Sequence, residues 1–380
     1  MLNQVTQKIK KGFQEVPIEI GRFVSHQYPD FITNNQLERL QDEVPVFMFH
    51  TIYPNLFKQQ LEYLKINQYQ TLDLKTFIAF LKEEVELKQP SVLITVDDGE
   101  KSWYEVAYPL LKDYGFHAVG FLVPFYIKEK PEPAQGKGWL SWPEVIEMEK
   151  SGVFEFESHS YYHGKIFTEP KVIDFFNPDY PNSLGMQTPW INDQGSYTNQ
   201  LPLGTPIYEN AARLKGKRRY FDPPEIREAC INWVKAQGGV EVFKRSDWRQ
   251  QLQRVYQEAQ EQNQLANYES EQEQKEQILI DLGQAKNHLS ERLNKPIEHL
   301  CYPWGQGSEL SVKLSQEVGY ISNFWDSIPQ RSTNRKGDSP LYTPRIKDDY
   351  LMRLPGAGRK PLWKIFKDKL NRRAKTIDLY

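Results

Sequence analysis

The sequence predicts an α/β fold, specifically a distorted parallel (β/α) barrel of about seven strands. Short apolar runs of strand length recur along the chain, and segments with apolar residues at helical spacing separate them. Glycine or proline marks many of the boundaries. Strands separated by helices of this length pair in parallel through right-handed crossovers, and about seven of them suit a barrel better than an open sheet.

The alternation is clearest in the first half of the chain. Gly115 and Gly152 follow predicted helix ends, and one predicted helix has Ser141 or Trp142 at its cap and Pro143 in its first turn. The predicted strands are VPVFMF, SVLITV, HAVGFLV and VFEFES, and the predicted helices are NLFKQQLEYLKINQ, LKTFIAFLKEEVEL, WYEVAYPLLKDYG and SWPEVIEMEKSG.

The same rhythm resumes late in the chain, after an insertion. LGQAKNHLSERLNK and SELSVKLSQEVGY are predicted helices, and IEHLCY and ISNFW are predicted strands. The insertion is rich in proline, asparagine and glycine and then becomes a helix rich in glutamine and glutamate. That helix has Trp248, Leu252, Val255, Tyr256 and Ala259 on one face, which predicts that it packs against the barrel.

These patterns divide the chain into four parts. The predicted organisation is an N-terminal extension that is partly helical (1–43), the barrel (44–166 and 270–350), the insertion (167–269) and a basic amphipathic tail (351–380).

Composition excludes several classes of protein. The net charge of −2 gives no general reason to expect nucleic acid as a partner. Cys230 and Cys301 lie far apart, so the sequence has neither a disulfide framework nor a CxxC metal motif. The N-terminus lacks the apolar region of a secretory signal, and no run of about 18 apolar residues occurs. These features predict a cytoplasmic protein that does not span a membrane.

Two adjacent aspartates follow the predicted strand SVLITV. Successive side chains of a strand point to opposite faces, so Asp97 and Asp98 should have different roles. At the carboxyl end of a barrel strand, one carboxylate could bind a metal while the other acts as a base, and Gly99 would allow a close turn. The alternative is an ordinary strand-to-helix turn in which one aspartate caps the next helix.

A pair of histidines ends another predicted strand. His159 and His163, with Ser160 between them, occur in a chain of seven histidines. Two imidazoles and one carboxylate are a common ligand set for Zn²⁺ or another divalent transition metal. The alternative is that the two histidines make only local hydrogen bonds. This alternative is less favoured because the histidine pair and the aspartate pair both lie at the ends of predicted barrel strands.

A third loop follows the predicted strand IEHLCY. Pro303 and Gly305 should fix its conformation, and Trp304 offers a flat apolar surface of the kind on which sugars stack. We therefore include Tyr302, Pro303 and Trp304 as candidate substrate-binding residues.

Together the three elements resemble the polysaccharide deacetylase family, the NodB-homology carbohydrate esterases. Thr95–Gly99 (TVDDG) is similar to the family's T-F-D-D-G motif, and His159–His163 (HSYYH) matches its H-[ST]-x-x-H motif. Cys301–Gly305 (CYPWG) partly matches R-x-P-[YW]-G. The resemblance covers about residues 44–326 without the insertion, and it implies a distorted parallel barrel that uses a divalent metal to remove acetyl groups from N-acetylated sugars.

The resemblance also implies a role for each matching residue. Asp97 would be the general base, and Asp98, His159 and His163 would be the metal ligands. Zn²⁺ would be the first candidate for this metal, with Co²⁺, Ni²⁺ or Mn²⁺ as alternatives. The substrate would be an N-acetylated saccharide.

The sequence departs from the family pattern at two points. Cys301 stands where many members have an arginine that orients the base, and no histidine follows His299 to supply the usual catalytic acid. The opening VPVFMFHTIYP resembles circularly permuted members whose acid histidine lies on the first strand, which makes His50 the predicted acid. A strand-end histidine hydrogen-bonded in the core is the alternative for His50.

The C-terminal tail has the composition of an interfacial helix that is attracted to anionic lipid. Its apolar residues lie among eight basic ones, and a weaker version opens the chain at Val5, Ile9 and Phe13. This predicts peripheral contact with the inner face of a membrane, and the alternative is that both helices dock on the barrel. The apolar residues of the tail are Leu362, Trp363, Ile365, Phe366 and Leu370.

Two other functions are weighed against the deacetylase. A glycan-binding or scaffold protein without activity would explain the missing arginine and the large insertion. A phosphatase is disfavoured because its nucleophile motif needs D-x-D spacing and not adjacent carboxylates.

Overall fold

The computed structural model describes residues 28–40, 42–132, 138–180, 186–193, 196–262, 267–328 and 331–375. Most of the predicted N-terminal extension, including its amphipathic segment, lies outside the described residues. The strands are β1 (Val46–Phe49), β2 (Gln70–Thr71), β3 (Ser91–Asp98), β4 (Ala118–Leu122), β5 (Phe154–Ser158), β6 (Lys165–Phe175), β7 (Ile191–Asp193), β8 (Ser196–Thr198), β9 (Pro206–Ala212), β10 (His299–Cys301), β11 (Ser322–Trp325), β12 (Thr343–Pro344) and β13 (Ile346–Lys347).

The helices fall between these strands as the sequence predicts for a (β/α) fold. A π-helical turn, Trp103–Ala107, leads directly into the fourth of them. They are α1 (Asp30–Thr33), α2 (Pro54–Ile66), α3 (Leu74–Leu81), α4 (Tyr108–Tyr114), α5 (Trp142–Lys150), α6 (Pro224–Ala236), α7 (Trp248–Gln262), α8 (Glu271–Leu293), α9 (Glu309–Val318) and α10 (Leu362–Lys375).

Eight parallel strands follow one path, in the order β12, β11, β10, β5, β4, β3, β1 and β13. The two ends of this path are neighbours in the chain, because only Arg345 separates β12 from β13. Thr343 pairs with Phe324 of β11, whereas Ile346 pairs with Phe47 of β1. Residues 343–347 therefore join the two edges, and the path nearly closes. The predicted parallel barrel is confirmed, with seven strands if β12 and β13 are counted as one.

Local sequence signals place most of the helix ends. Asp73 caps α3 by accepting a hydrogen bond from the Thr76 backbone N–H at 2.7 Å. Ser141 begins α5 with a capping box that includes Glu144. Gly115 has a φ of 70° and ends α4 in the left-handed region. The helix predicted over LKTFIAFLKEEVEL ends at Leu81, earlier than the apolar spacing indicates.

The insertion has a hydrophobic core of its own. It contains the antiparallel pair β6 and β9 and the helices α6 and α7, although its first part is rich in proline and glycine. Trp248, Leu252 and Tyr256 of α7 are buried as predicted, but they pack in this second core and not against the barrel. The prediction that α7 packs against the barrel is therefore wrong, because α6 and the β6–β9 pair cover the apolar face of α7.

The C-terminal helix α10 docks on the rest of the chain. Ile365 belongs to the main hydrophobic core, and Lys369 and Arg372 pair with Asp349. Trp363 remains 65% exposed. Over the described ranges, no helix combines the length and the apolar character needed to cross a membrane. The cytoplasmic localisation and the membrane contact of the tail stay predictions.

A glycine in the barrel wall is required by the packing around it. A Cβ atom at Gly120 in β4 would lie 2.5 Å from the Phe156 ring and 3.0 Å from Trp103, both of which are buried. We expect Gly120→Ala to lower the free energy of unfolding by about 1–3 kcal/mol through overpacking. Urea unfolding followed by circular dichroism measures this change.

The matched control is Gly283→Ala in α8, where a Cβ atom would meet nothing within 4 Å. Alanine has the higher helix propensity, so this variant should be more stable by about 0.5–1 kcal/mol. Equal effects of the two substitutions would contradict the packing argument.

Candidate active site

The candidate site forms where the carboxyl ends of several barrel strands meet. His50 follows β1, Asp97 and Asp98 end β3, and His159 follows β5. Because these strands are parallel members of one path, their carboxyl ends lie on the same side of the barrel. The site therefore combines residues from distant parts of the sequence.

Asp98, His159 and His163 converge as a buried group. Asp98 Oδ1 lies 3.4 Å from His159 Nε2 and 3.5 Å from His163 Nε2. The three side chains offer ligand atoms within 4.8 Å of one another, and each residue is at most 4% exposed. His159 donates from Nδ1 to the Cys301 carbonyl oxygen at 2.8 Å, which leaves its Nε2 directed toward Asp98. The three residues predicted as metal ligands are thus brought together.

The backbone of these ligands is strained. Asp98 has a φ of 88°, Ser160 of 63° and His163 of 49°, although none of them is glycine. Such conformations persist only where the surrounding structure imposes them, and they cluster at functional sites. Here the turn at Asp98 redirects its side chain at the end of the strand, and Ser160 Oγ accepts a hydrogen bond from the His163 N–H at 3.1 Å.

Asp281 supports the same loop from α8, and the sequence did not indicate this residue. Its Oδ1 accepts hydrogen bonds from the Tyr161 and Tyr162 backbone N–H groups, each at 3.2 Å. Burial raises the pKa of Asp281 to about 6. The aspartate thereby holds the segment between the two histidines in place.

The donor set fits a divalent metal ion. Ligand atoms bound to a tetrahedral metal at about 2.0–2.2 Å lie about 3.3–3.6 Å from each other, which agrees with the two separations from Asp98 Oδ1. Within the described part of the chain, the buried Asp98 Oδ1 and His163 Nδ1 have no hydrogen-bond partner. An unsatisfied buried carboxylate oxygen between two imidazoles is costly unless a cation occupies the space.

The two histidines differ in their protonation. Burial would lower the pKa of His159, but the neighbouring Cys301, Asp97 and Asp98 hold it well above its ordinary value, so a metal ion would have to displace the proton of this imidazole. Burial by itself would raise the pKa of Asp98, but His159 and His163 keep it below its ordinary value. Burial lowers the pKa of His163 to about 3, so its imidazole is neutral and can act as a ligand. A second group, Asp97 with His159 and Cys301, also converges, but its carboxylate is already bound by an arginine.

That arginine is Arg345, and it is the main residue that the sequence analysis missed. Arg345 Nη1 and Nη2 donate to Asp97 Oδ1 and Oδ2, each at 2.7 Å, in a bidentate pair. Burial alone would raise the pKa of Asp97, but the Arg345 guanidinium holds that pKa below its usual range. An arginine thus orients the predicted base although Cys301 occupies the position where the family motif has one. An arginine within the short run TPRIK was the available signal.

His50 lies on the open side of Asp97. Its Nε2 is 3.9 Å from Asp97 Oδ2, and its side chain is 33% exposed. The His50 carbonyl oxygen accepts a hydrogen bond from Trp103 Nε1 at 3.0 Å, which fixes the backbone at the end of β1. The predicted acid and the predicted base therefore lie side by side, with His50 reachable from solvent.

The third predicted loop contributes only one accessible side chain. The Trp304 ring lies against His163 with its centroid 4.1 Å away, and Trp304 has a φ of 52°. Tyr302 is fully buried against Trp325, and Pro303 is buried as well. Both side chains are thus enclosed in the protein, which does not favour the predicted contact of Tyr302 and Pro303 with the substrate, and the contact of Trp304 stays a prediction.

Part of the chain is similar to known proteins of one family. Residues 84–175 match the family model described as polysaccharide deacetylase. A poly-β-1,6-N-acetyl-D-glucosamine N-deacetylase of Staphylococcus aureus (strain MSSA476) is 33% identical over 112 residues, which are 30% of this chain and 38% of the relative. A protein of the same name from Staphylococcus epidermidis is 35% identical over 105 residues, 28% of this chain and 35% of the relative. The chain therefore matches less than half the length of these relatives.

Two solved structures have the same fold. A de-N-acetylase from Aggregatibacter actinomycetemcomitans superposes with a TM-score of 0.50 at 19% identity, over 80% of this chain and 94% of that one. The BpsB deacetylase domain from Bordetella bronchiseptica gives a TM-score of 0.51 at 16% identity, over 80% and 96%. At these identities, the likeness concerns the fold alone.

The ion pair of Arg345 and Asp97 leads to a stability prediction. Arg345→Met leaves a buried carboxylate without its cation, so we expect the free energy of unfolding at neutral pH to fall by about 3–5 kcal/mol. The folded pKa of Asp97 is lowered. The contribution of the pair is therefore complete above the unfolded value of about 3.9 and is lost as the pH falls through the lower folded value. Urea unfolding at a series of pH values measures both effects.

The control is the double variant Arg345→Met with Asp97→Asn, which removes the uncompensated charge. It should recover a large part of the lost stability. A single variant as stable as the original protein, or a double variant without recovery, would show that the pair does not act in this way.

Proposed function

We propose that this chain is a member of the polysaccharide deacetylase family and a metal-dependent hydrolase that removes N-acetyl groups from an amino sugar in a polysaccharide, oligosaccharide or glycolipid. The observation that carries this proposal is the convergence of Asp98, His159 and His163 beside Asp97 and His50. The names of the staphylococcal relatives support a polymer of N-acetylglucosamine as the substrate class.

Asp98, His159 and His163 would hold the metal ion, for which Zn²⁺ is the first candidate and Co²⁺, Ni²⁺ or Mn²⁺ are alternatives. When bound, the ion supplies Lewis acidity to the acetamide carbonyl and lowers the pKa of water toward 7. Two imidazoles and one carboxylate leave room for both water and substrate.

Asp97 would act as the general base. Its carboxylate accepts a proton from the water that attacks the amide carbon, and Arg345 keeps that carboxylate ionised and correctly oriented. Breaking the C–N bond then releases the amine of the sugar and acetate. Asp97 is buried, so the proton transfer takes place with few competing water molecules.

His50 would act as the general acid. It lies 3.9 Å from Asp97 Oδ2 and is partly exposed, so a sugar nitrogen can approach it from solvent. Protonated His50 donates a proton to the leaving amine, which would otherwise leave as an unstable anion. The Trp304 ring, packed on His163, would border the acetyl group, and its backbone N–H is a candidate donor to the developing oxyanion.

The alternative of an inactive glycan-binding protein depended on the missing arginine and on the insertion. Arg345 removes the first of these arguments, because its guanidinium contacts Asp97 from the link between β12 and β13. The insertion does not favour either function, so deacetylation remains the better-supported proposal.

Metal dependence is tested by removing one ligand. We expect His163→Ala to lose bound metal and to release acetate from N-acetylglucosamine oligomers at least about 100-fold more slowly, since disturbing even indirect metal contacts costs 10–100-fold. A chelator should inactivate the original protein reversibly. Metal content is measured by elemental analysis, and acetate by an enzymatic assay.

His117→Gln is the matched histidine control, because His117 pairs with Glu155 outside the metal group. It should keep both metal and activity. Full activity in His163→Ala or in metal-free protein would disprove the metal-dependent mechanism.

The acid and the base are tested separately from metal binding. We expect His50→Ala and Asp97→Asn each to lower kcat by about 10²–10⁴-fold, because each removes one proton transfer. Steady-state acetate release gives kcat, and elemental analysis should show that His50→Ala keeps its metal. A kcat within tenfold of the original value in His50→Ala would assign the acid role to another group.

A further inference from the structure

Four aromatic side chains extend from the metal ligands toward the insertion: Phe125, Tyr162, Trp190 and Tyr197. We call them the aromatic strip. The Tyr162 ring centroid lies 5.4 Å from that of Phe125 and 4.8 Å from that of Trp190. Trp190 continues the strip by stacking on Tyr197, with centroids 5.1 Å apart and ring planes 19° apart.

The aromatic strip has two origins. Phe125 lies in the turn after β4, and Tyr162 lies between the ligands His159 and His163, so both belong to the face of the barrel that carries the candidate site. Trp190 and Tyr197 come from the insertion. The insertion therefore contributes directly to the surroundings of the metal group.

The main chain holds the insertion side of the strip in place. The Trp190 N–H donates to the Lys165 carbonyl oxygen at 2.9 Å, just after the second histidine ligand. The indole Cδ1 of Trp190 lies 3.6 Å from the position of a Cβ atom at Gly164. Trp190 is thus fixed close to the loop that carries His163.

The strip presents aromatic surface to solvent. Phe125 is 46% exposed and Tyr197 is 37% exposed, whereas Trp190 between them is 2% exposed. The Arg219 guanidinium lies over the Tyr197 ring at 4.5 Å, which gives the outer end of the strip a polar border. Exposed aromatic rings on either side of a buried tryptophan that contacts both are typical of a binding surface.

The position of the strip indicates its ligand. Trp304 packs against His163, and Tyr162 of the strip directly precedes His163 in the chain. Aromatic rings provide flat apolar faces with polar groups at their edges, which suits the alternation of apolar C–H faces and hydroxyl groups on sugars. A surface of this kind, which includes a residue of the loop between two proposed metal ligands, fits further sugar units of the same chain.

We infer that the aromatic strip binds sugar units next to the one that is deacetylated, so that the substrate is a glycan chain and not a single amino sugar. This inference rests on the proposed function, because it places the reacting unit at the metal group. The insertion then determines chain-length specificity, while the barrel carries the chemistry.

The experiment compares short and long β-1,6-linked N-acetylglucosamine oligomers as substrates of the original protein and of Phe125→Ala and Tyr197→Ala. Each substitution removes one exposed ring, so we expect KM for the long oligomer to rise about tenfold, with kcat and the values for the dimer little changed. Trp363→Ala is the matched control, because this exposed aromatic lies on α10 outside the strip, and it should leave all values unchanged.

A second measurement does not depend on turnover. Asp97→Asn protein is titrated calorimetrically with the same oligomers, with and without Phe125→Ala. Affinity that increases with chain length and is lost in the combined variant supports the strip, even if no acetate is released by any protein.

The outcomes separate the two proposals. Failure of the original protein to deacetylate any oligomer would overturn the proposed function. An active protein in which both strip variants affect the dimer and the long oligomer equally, or affect neither, would overturn the role of the strip.

Discussion

The buried ion pair between Arg345 and Asp97 is the interaction on which the site depends. Both side chains are almost completely enclosed, and enclosing two charges is costly unless their geometry is close to ideal. The bidentate contact meets that condition. Arg345 lies between β12 and β13, in the segment that joins the two edges of the sheet. The same segment therefore nearly closes the barrel and orients Asp97.

The two adjacent aspartates have different partners for a geometric reason. Asp97 lies within the strand and is bound by Arg345, whereas Asp98 adopts a φ of 88° at the strand end and faces His159 and His163. The Asp97 carboxylate therefore pairs with a guanidinium, and the Asp98 carboxylate faces two imidazoles. The strained backbone at Asp98 is compatible with this arrangement because surrounding strands hold both ends of the turn.

The barrel and the insertion differ in what they contribute. The barrel brings strand ends together and positions the charged groups. The insertion forms a separate core and places Trp190 and Tyr197 beside Tyr162, in the loop between His159 and His163. The docked helix α10 is a third contributor, with Ile365 in the main core and two basic residues paired with Asp349. Docking therefore uses part of the basic face that the sequence assigned to lipid, and leaves Trp363 exposed.

The sequence by itself determined the fold class, most helix positions, six of the eight barrel strands, and the group of Asp97, Asp98, His159, His163 and His50. These are local properties, because apolar spacing, caps and short motifs are complete within a few residues.

Only the tertiary structure revealed Arg345, which lies 248 positions from Asp97, the support from Asp281, the burial of Tyr302, and the separate core around α7. Each of these depends on which surfaces meet when the barrel closes, and no periodicity in the chain encodes contacts over such distances. The family motif places an arginine at Cys301, but barrel closure allows the link between β12 and β13 to supply it.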